Sequence, residues 1–382
     1  MIDVARGPNE QLIGQPGSRH ELGTPSLVLD LDVFDANVAS LAAHAAAHSY
    51  DVRAVAKIHK TVAIARAQIA AGAIGACCAT LREAEVMADA GIPGVMLFTS
   101  VVTAPKLTRL AELNARADGL LVCVDDPANV AQLEDAARRS GKPLGLLVDL
   151  EVGGGRTGLA DEDAAVALAG RISASDAVTY VGVQGYVGNH QNTVDYDTRR
   201  TMSRELLAPL CSLVERLHRE DLAPRVVSGG GTGTHDFDHE LGVLTEVQGG
   251  TYALMDVNYR DAVLRRDEPH PFGAALFVRA TVISTAQKGF AVADAGIKEL
   301  DRIFGIEHPG ILRGAPAGAV YSLVGDDMGR IDLAGGAPLS VGDVVELQPP
   351  HCYQTLAMYR LIHCVRGDDL VDIWTVDALD QW

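Results

Sequence analysis

A lysine stands at the end of a short apolar run near the start of the chain, in the segment Arg53–Lys60, which reads RAVAKIHK. A partly buried lysine amine loses its proton more readily than an exposed one, and the neutral amine can form a Schiff base with a carbonyl compound. Lys57 is therefore a candidate catalytic nucleophile. The alternative is a lysine at a strand end whose ammonium group simply reaches solvent.

Two glycine-rich segments follow later strands of the chain. Residues 151–158 read EVGGGRTG and place Arg156 just after three glycines, where its guanidinium could contact a flat ligand. Residues 228–234 read SGGGTGT and could direct several backbone N–H groups at one phosphate, as could Gly249-Gly250-Thr251. Neither segment has the spacing of a P-loop or a dinucleotide fingerprint. The second segment and Gly249-Gly250-Thr251 predict a phosphate site, with a plain turn as the alternative. For the first segment, the alternative is a flexible loop with a solvated arginine.

The elements that position these residues alternate between short β-branched runs and longer alanine-rich segments of helical period. After an opening run at Ser26–Asp30, we predict eight strands at 51–57, 74–79, 94–99, 120–125, 144–150, 181–186, 225–228 and near 252–256. Eight βα units predict a (β/α)8 barrel, in which catalytic groups lie at the carboxyl ends of the strands. A doubly wound sheet would give a similar pattern.

The pattern changes at about Pro269 to short alternating strands separated by Gly, Pro and Asp turns. We therefore predict an α/β chain with two domains, a cofactor-binding barrel over residues 23–268 and an all-β domain over residues 269–382. Residues 1–22 are expected to pack near the second domain.

The composition limits the classes of partner. The chain has 382 residues, with 32 basic and 50 acidic side chains and a formal net charge of −18, which disfavours nucleic acid. No apolar stretch approaches the roughly 20 residues that span a bilayer, and the amino terminus lacks the continuous apolar core of a signal peptide. The six cysteines form no CxxC pair. We expect a cytoplasmic protein with reduced thiols that binds neither nucleic acid nor membrane.

Several motifs together resemble one family of pyridoxal-phosphate enzymes. They are Thr24-Pro25, Ala56 to Lys60, Gly155 to Gly158, Gln184-Gly185-Tyr186, Ser228 to Thr234 and His351-Cys352. In this order they resemble the group of D-threonine aldolases, D-3-hydroxyaspartate aldolases and D-serine dehydratases, which share an alanine-racemase-type barrel. The resemblance implies a homodimer that binds pyridoxal 5′-phosphate and a small amino-acid substrate.

The resemblance also implies roles for individual residues. Lys57 would form the internal aldimine, Arg156 would lie near the phenolic oxygen of the cofactor, and Tyr186 would line the substrate side. Gln248 matches the racemase arginine that faces the pyridine nitrogen, and a neutral amide cannot hold that nitrogen protonated by charge. The phosphate would be bound by Gly230, Gly231, Thr232, Gly250 and Thr251.

Relatives of this type are expected to place a divalent metal beside the cofactor, held by a His-Cys segment, here His351-Cys352-Tyr353. If this segment is extended, His351 and Tyr353 share one face and Cys352 points away. Phenols are poor ligands for Mg²⁺ or Mn²⁺ near neutral pH, which disfavours a metal, although Zn²⁺ could still recruit His351 and a shifted Cys352.

The predicted activity is that of a lyase acting on a D-β-hydroxy-α-amino acid, either an aldolase or a dehydratase. The resemblance places a histidine at the position of Asn192, and His190 is the nearest candidate base. A second hypothesis is a metal-independent racemase that uses Lys57 and Tyr353. A third is a non-enzymatic pyridoxal-phosphate carrier, which the β-domain disfavours because a carrier needs no lid.

Overall fold

A computed structural model describes residues 6–302 and 308–379; residues 1–5, 303–307 and 380–382 lie outside the described residues. The first strand, β1 (Ser26–Asp30), pairs with two strands from the end of the chain. It therefore lies in the C-terminal sheet, although the predicted barrel segment 23–268 includes it. The next eight strands form the barrel, and the C-terminal part of the chain then completes the sheet that contains β1.

Eight parallel strands close into a ring in chain order, which confirms the predicted (β/α)8 barrel. They are β2 (Asp51–Val55), β3 (Gly75–Cys78), β4 (Met96–Leu97), β5 (Leu121–Val124), β6 (Leu144–Asp149), β7 (Val178–Gly185), β8 (Val226–Gly229) and β9 (Glu246–Val247). Strands of a barrel are covered on both faces, which explains why they are nearly continuous apolar runs without alternation.

Helices follow the strands on the outside. They are α1 (Leu31–Ala47), α2 (Val62–Ala70), α3 (Leu81–Asp89), α4 (Ala104–Arg116), α5 (Pro127–Ser140), α6 (Glu162–Ser173), α7 (Tyr196–Arg219) and α8 (Val257–Arg260). Local signals set their ends. The Asp126 carboxylate accepts hydrogen bonds from the first turn of α5, and Gly141, with φ +70°, ends that helix.

The predicted eighth strand near 252–256 is wrong. The last barrel strand is β9, and residues 251–253 instead form a 3₁₀ turn that leads to Asp256, the N-cap of α8. The run Tyr252 to Met255 is buried, and a short buried apolar run looks the same in sequence whether it is a strand or a turn.

The second structural unit is a nine-stranded, mostly antiparallel sheet, which confirms the predicted C-terminal β-domain. Besides β1, it contains β10 (Leu276–Ser284), β11 (Phe290–Ala293), β12 (Gly310–Arg313), β13 (Val320–Leu323), β14 (Gly329–Asp332), β15 (Val344–Gln348), β16 (Leu361–Arg366) and β17 (Asp369–Thr375). One short helix, α9 (Cys352–Ala357), lies between β15 and β16. The N-terminal segment packs on this sheet, where Arg19 pairs with Glu346 at 2.9 Å.

None of the helices within the described ranges has the length and apolar character needed to cross a bilayer.

A buried ion pair joins the first and last barrel strands. The Arg53 guanidinium on β2 donates to both carboxylate oxygens of Glu246 on β9, at 2.8 and 2.6 Å. The side chains are only 4% and 1% exposed, so neither charge could be solvated if its partner were removed. Arg53 also donates to the Gly94 carbonyl beside β4. The pair therefore fixes the closure of the barrel.

We expect Glu246→Gln to lower the free energy of unfolding by about 3–5 kcal/mol, because it leaves the Arg53 charge buried without a carboxylate. Urea unfolding followed by circular dichroism measures the change. The matched control is Asp89→Asn, which breaks the exposed pair with Arg116 and should cost less than about 1 kcal/mol. Equal losses in the two variants would contradict the closing role of the buried pair.

Candidate functional site

A cleft lies at the carboxyl ends of the barrel strands and is open to solvent, with about 500 Å³ of space between atoms when the open solvent is included. It is lined by Val55, Lys57, Ile58, Phe98, Arg156, Gln184, Tyr186, Gly231, Thr232, Gln248, Gly250, Thr251 and Tyr259. The lining includes every residue that the sequence predicts for cofactor binding except Gly230, which precedes Gly231 in the same loop. Polar groups from five strand ends thus converge on one space.

Lys57 lies just beyond its strand. We predict a strand up to Lys57, but β2 ends at Val55 and a 3₁₀ turn at Ala56–Ile58 carries the lysine. Burial lowers the pKa of the Lys57 amine, and the nearby charge of Arg156 lowers it further. A larger fraction of the amine is therefore neutral at a given pH than for an exposed lysine.

A second lysine lies beside the first. The Lys60 ammonium donates to Glu83 at 2.7 Å in a buried pair, and Glu83 also caps α3. The Tyr353 ring lies next to both amines, with its centroid 4.7 Å from Lys60 Nζ and 5.7 Å from Lys57 Nζ. The electron-rich face of the phenol can stabilise either ammonium group. Tyr353 is thus brought to the nucleophile from the sheet.

The predicted phosphate loop after β8 is braced by its own side chains. Asp238 Oδ2 accepts from the Gly231 N–H at 3.2 Å and from the Thr234 hydroxyl at 2.9 Å. Gly230 has φ +59°, and a Cβ atom there would lie 2.1 Å from Asp238 Oδ2. The tight approach of this carboxylate explains the glycine.

Several backbone N–H groups in the two loops are left free. Those of Thr232, Gly250 and Thr251 have no acceptor among the described residues. The Thr232 hydroxyl accepts from the Tyr252 N–H at 3.1 Å, so its own proton is available to another acceptor. A Cβ atom at Gly250 would lie 2.7 Å from Ile58, so the loop can approach the lysine turn only with glycine there. Free donors of this kind suit an anion with several oxygens.

A chain of amides holds Gln248 in place. Its Nε2 donates to Gln184 Oε1 at 2.9 Å and to Ser228 Oγ at 3.0 Å, and Gln184 donates to Asp149 at 2.9 Å. Both amide protons of Gln248 are therefore used, which leaves its Oε1 as the acceptor available to the cleft.

Arg156 stands at the opening of the cleft. Its guanidinium lies 5.1 Å from the centroid of the Tyr186 ring, a cation–π contact that sets both side chains. The Glu151 carboxylate accepts from the backbone N–H groups of Gly153 and Gly155, which shapes the glycine loop before the arginine.

The His351-Cys352-Tyr353 segment is not extended, so the predicted arrangement of its side chains is wrong. His351 is the N-cap of α9, and its Nδ1 accepts from the Tyr353 N–H at 3.2 Å. The helical turn directs Cys352 inward, and ligand atoms of Asp256, His351 and Cys352 lie within 4.8 Å of one another. Because the segment begins a helix, ligand atoms of His351 and Cys352 lie close together. An extended strand would point these two side chains to opposite faces.

Burial controls the charges of this group. It lowers the pKa of His351 to about 4 and raises that of Asp256 to about 7. It also raises the pKa of the Cys352 thiol well above its usual range, and the nearby Asp256 charge adds to the effect. The charge of Lys57 contributes to the shift of His351, because the two side chains face the same space.

His190 is not brought to the cleft. Its side chain is buried, both ring nitrogens have no partner among the described residues, and burial lowers its pKa to about 4. Asn192, where the resemblance places a histidine, donates to Asn258 Oδ1 at 2.7 Å. The structure therefore separates the predicted base from the other predicted residues.

Three important residues are missing from the sequence prediction. Asp256 completes the group with His351 and Cys352, Lys60 pairs with Glu83 beside the nucleophile, and Tyr259 lines the cleft. Asp256 ends the run that we predict as the eighth strand. Since barrel sites are built from strand ends, this position by itself indicates Asp256 as a site residue. Nothing in the local pattern marks the other two.

Comparisons with known proteins agree with this geometry. Residues 29–256 match the family model described as alanine racemase, N-terminal domain, and residues 275–365 match a serine dehydratase domain. The chain is 34% identical over 368 residues to 3-hydroxy-D-aspartate aldolase of Paracoccus denitrificans, covering 94% of this chain and 92% of the relative. It is 35% identical over 378 residues to D-threonine aldolase of Arthrobacter sp, covering 98% of each.

Solved structures of similar proteins superpose on most of this chain. D-threonine aldolase of Filomicrobium marinum superposes with a TM-score of 0.87 at 34% identity, covering 94% of this chain and 96% of that one. D-threo-3-hydroxyaspartate dehydratase of Delftia sp. HT23 superposes with a TM-score of 0.82 at 26% identity, covering 94% and 98%. A variant of such a dehydratase, solved in a metal-free form, superposes with a TM-score of 0.81 at 26% identity and covers the same shares.

We expect Gly230→Ala to lower the melting temperature more than Gly242→Ala. Both glycines have positive φ, of +59° and +69°, so both alanines carry a backbone cost of about 1–2 kcal/mol. A Cβ atom at position 242 meets no atom within 4 Å, whereas one at position 230 displaces Asp238 and with it the loop. Scanning calorimetry measures the two shifts, and equal shifts would show that Asp238 does not brace the loop.

Proposed function

Since the chain belongs to the family with an alanine racemase N-terminal domain, we propose that it is a pyridoxal 5′-phosphate-dependent lyase. Its substrate would be a small D-configured β-hydroxy-α-amino acid, cleaved to glycine and an aldehyde or dehydrated to a 2-oxo acid. Aldolases and a dehydratase named for such amino acids match nearly the whole chain.

One observation carries the proposal. Near Lys57 lies a second chemical group, made of Asp256, His351 and Cys352, that a racemase mechanism based on lysine and tyrosine does not need. Chemistry at Cα requires the lysine, and chemistry at the β-oxygen requires a second polar centre close to it. The charge of Lys57 acts on His351, so the side chains for both kinds of chemistry are near one another.

The residues of the cleft fit pyridoxal 5′-phosphate. The free N–H groups of Thr232, Gly250 and Thr251 suit its phosphate, and Lys57 suits its aldehyde. When bound, this cofactor supplies an electron sink for the charge that develops at Cα. Gln248 Oε1 can accept a hydrogen bond from a protonated ring nitrogen without adding charge.

The donors of the Asp256, His351 and Cys352 group fit a divalent cation, which revises the sequence argument against a metal. One imidazole, one thiol and one carboxylate form the N/S/O set that favours Zn²⁺ over Mg²⁺. His351 Nδ1 accepts the Tyr353 N–H, so the proton of the neutral ring is on Nε2. A cation would therefore bind Nε2 only if the proton moved to Nδ1 and this backbone hydrogen bond were lost. When bound, the cation would polarise the β-oxygen of the substrate.

The chain's own residues then handle the protons. The lowered pKa of Lys57 leaves a larger fraction of its amine neutral, so Nζ can accept a proton and later donate it. The Tyr353 ring face can stabilise the ammonium form of Lys57, and Lys60 donates a hydrogen bond to Glu83. His190 stays a predicted base, and its loop would have to open for the buried ring to reach the substrate.

Association into a homodimer stays a prediction, as does a cytoplasmic location. The amino-acid substrate follows from the lyase proposal, and the surface charge of −18 favours no nucleic-acid partner.

A racemase is the second candidate, and the placement of Tyr353 favours it. Its ring centroid lies 5.7 Å from Lys57 Nζ, so a phenol and an amine both stand near the position where Cα would bind. Proton exchange at Cα needs no metal. The two candidates therefore differ in the bond that breaks and in their response to a chelator.

The cofactor-loaded protein should convert D-threonine to glycine and acetaldehyde, or a D-β-hydroxy-α-amino acid to a 2-oxo acid and ammonia. Proton NMR in D2O with D-threonine, D-serine and D-alanine, with Mn²⁺ or Zn²⁺ added or chelated, follows both bonds. Loss of the Cα proton signal without breakdown would favour the racemase. If every D-β-hydroxy amino acid remained unchanged in all of these conditions, the lyase proposal would be wrong.

We expect Cys352→Ala to lower kcat for β-cleavage by at least about tenfold while the cofactor stays bound, because the metal group loses its thiol. Cys364→Ala is the matched control, since it truncates another buried cysteine, on β16 of the sheet. Activity and the visible absorbance of the bound cofactor are measured together. Full activity of Cys352→Ala, with or without a chelator, would exclude the thiol from the reaction.

A further inference from the structure

Three histidines meet on the outside of the barrel, away from the residues that line the cleft. His44 lies in the last turn of α1, His48 follows that helix, and His239 lies in a short 3₁₀ helix at Asp238–Leu241. One ligand nitrogen from each ring can be chosen so that all three lie within 4.8 Å of one another. We propose that these histidines bind a divalent transition-metal ion of the Zn²⁺ type.

The hydrogen bonds leave the right atoms free. His44 Nε2 lies 3.0 Å from the carbonyl oxygen of His235, and because a carbonyl only accepts, this nitrogen must carry the proton. His44 Nδ1 is then the unprotonated nitrogen and is available as a ligand. A backbone carbonyl that fixes the tautomer of a histidine in this way is typical of metal sites.

The other two rings are held together without hydrogen bonds between them. The His48 and His239 rings stack with centroids 3.7 Å apart, and the His44 ring lies 4.4 Å from that of His48. His239 Nδ1 is shielded from solvent and has no partner among the described residues. A buried nitrogen without a partner is costly, and a metal ion would satisfy it.

The chemistry of three imidazoles selects the class of ion. Imidazole suits Zn²⁺, Ni²⁺ and Cu²⁺, whereas Mg²⁺ and Ca²⁺ prefer oxygen. Tetrahedral zinc with Zn–N bonds of about 2.0–2.1 Å places its nitrogens about 3.3 Å apart. Imidazole donates its lone pair in the ring plane, so His48 must rotate out of its stack on His239, and its exposed side chain has room to do so.

The nearby carboxylates are already engaged. Glu240 pairs with Arg200 and Arg204, each at 2.7 Å, and Asp236 accepts from the Tyr196 hydroxyl at 2.8 Å. The fourth ligand is therefore water.

An ion at this site would connect α1 to the phosphate loop on the side of the loop that faces away from the cleft. The His235 carbonyl that holds His44 belongs to this loop and also accepts from Tyr50 at 3.0 Å. His239 follows Asp238, the carboxylate that braces Gly231. An ion shared by His44, His48 and His239 thus restrains the C-terminal end of the loop relative to α1, and we expect it to raise the melting temperature.

The test compares two exposed histidines near helix ends. His48→Asn removes one ligand of the proposed site, whereas His218→Asn, in the last turn of α7, is the matched control. Chelator-treated protein loaded with pyridoxal phosphate is titrated with ZnCl2 by calorimetry, and the zinc that remains after gel filtration is counted per chain. We expect His48→Asn to bind one zinc fewer than the parent, or to bind it at least about tenfold more weakly. His218→Asn should match the parent.

The Cys352→Ala background separates this site from the one in the cleft. There, one zinc per chain should remain, together with the rise in melting temperature that it causes, and adding His48→Asn or His239→Asn should remove both. No zinc in the Cys352→Ala protein, or an unchanged zinc count on adding the histidine variants, would overturn the proposal. Neither result would affect the lyase proposal, which depends on activity and on Cys352.

Discussion

Closure of the last barrel strand against the first is the constraint on which the site depends. When β9 pairs with β2, the loop that carries Gly250 and Thr251 is placed against the turn that carries Lys57. Gly250 approaches so closely that a Cβ atom there would clash with Ile58. The buried pair of Arg53 and Glu246 holds this closure, so a residue pair with no chemical role sets the distance between the nucleophile and the free N–H groups.

The sheet contributes the second half of the site, and it docks at the same edge of the barrel. The Cys352 N–H donates to Asp256 at 3.0 Å, and the N–H groups of Asp377 and Ala378 donate to the Lys60 carbonyl at 2.9 and 3.0 Å. All three bonds cross between the two units, and the last two do so three residues from Lys57. The chain also connects the two units covalently, through β1 and α1 before the barrel strands and again after them. The sheet is therefore attached to both ends of the barrel segment.

Desolvation then sets the chemistry. Lys57, His351 and Asp256 all have pKa values shifted toward the neutral form by burial, since a charged group loses its hydration inside the cleft. Lys60 differs from Lys57 because it has a carboxylate partner in Glu83. Two lysines three residues apart therefore take different roles, one reactive and one structural.

The sequence by itself determined the class of fold, most of the helices and strands, and the loops that carry Lys57, Arg156 and the phosphate site. Periodicity and glycine spacing are local properties, so they can be read along the chain. Only the tertiary structure decided that His351 caps a helix, which turns Cys352 toward Asp256 instead of away from it. A short segment can be extended or helical with the same residues, and its neighbours make the choice.

The same reason explains the other differences. The last barrel strand is β9 and not the run near 252–256, because burial makes a turn as apolar as a strand. His44 and His239 meet although about two hundred residues separate them in the chain, and Gln248 is oriented by Gln184 and Ser228 from other strands. Contacts between distant residues leave no periodic signal in a single sequence, so they appear only when the barrel closes.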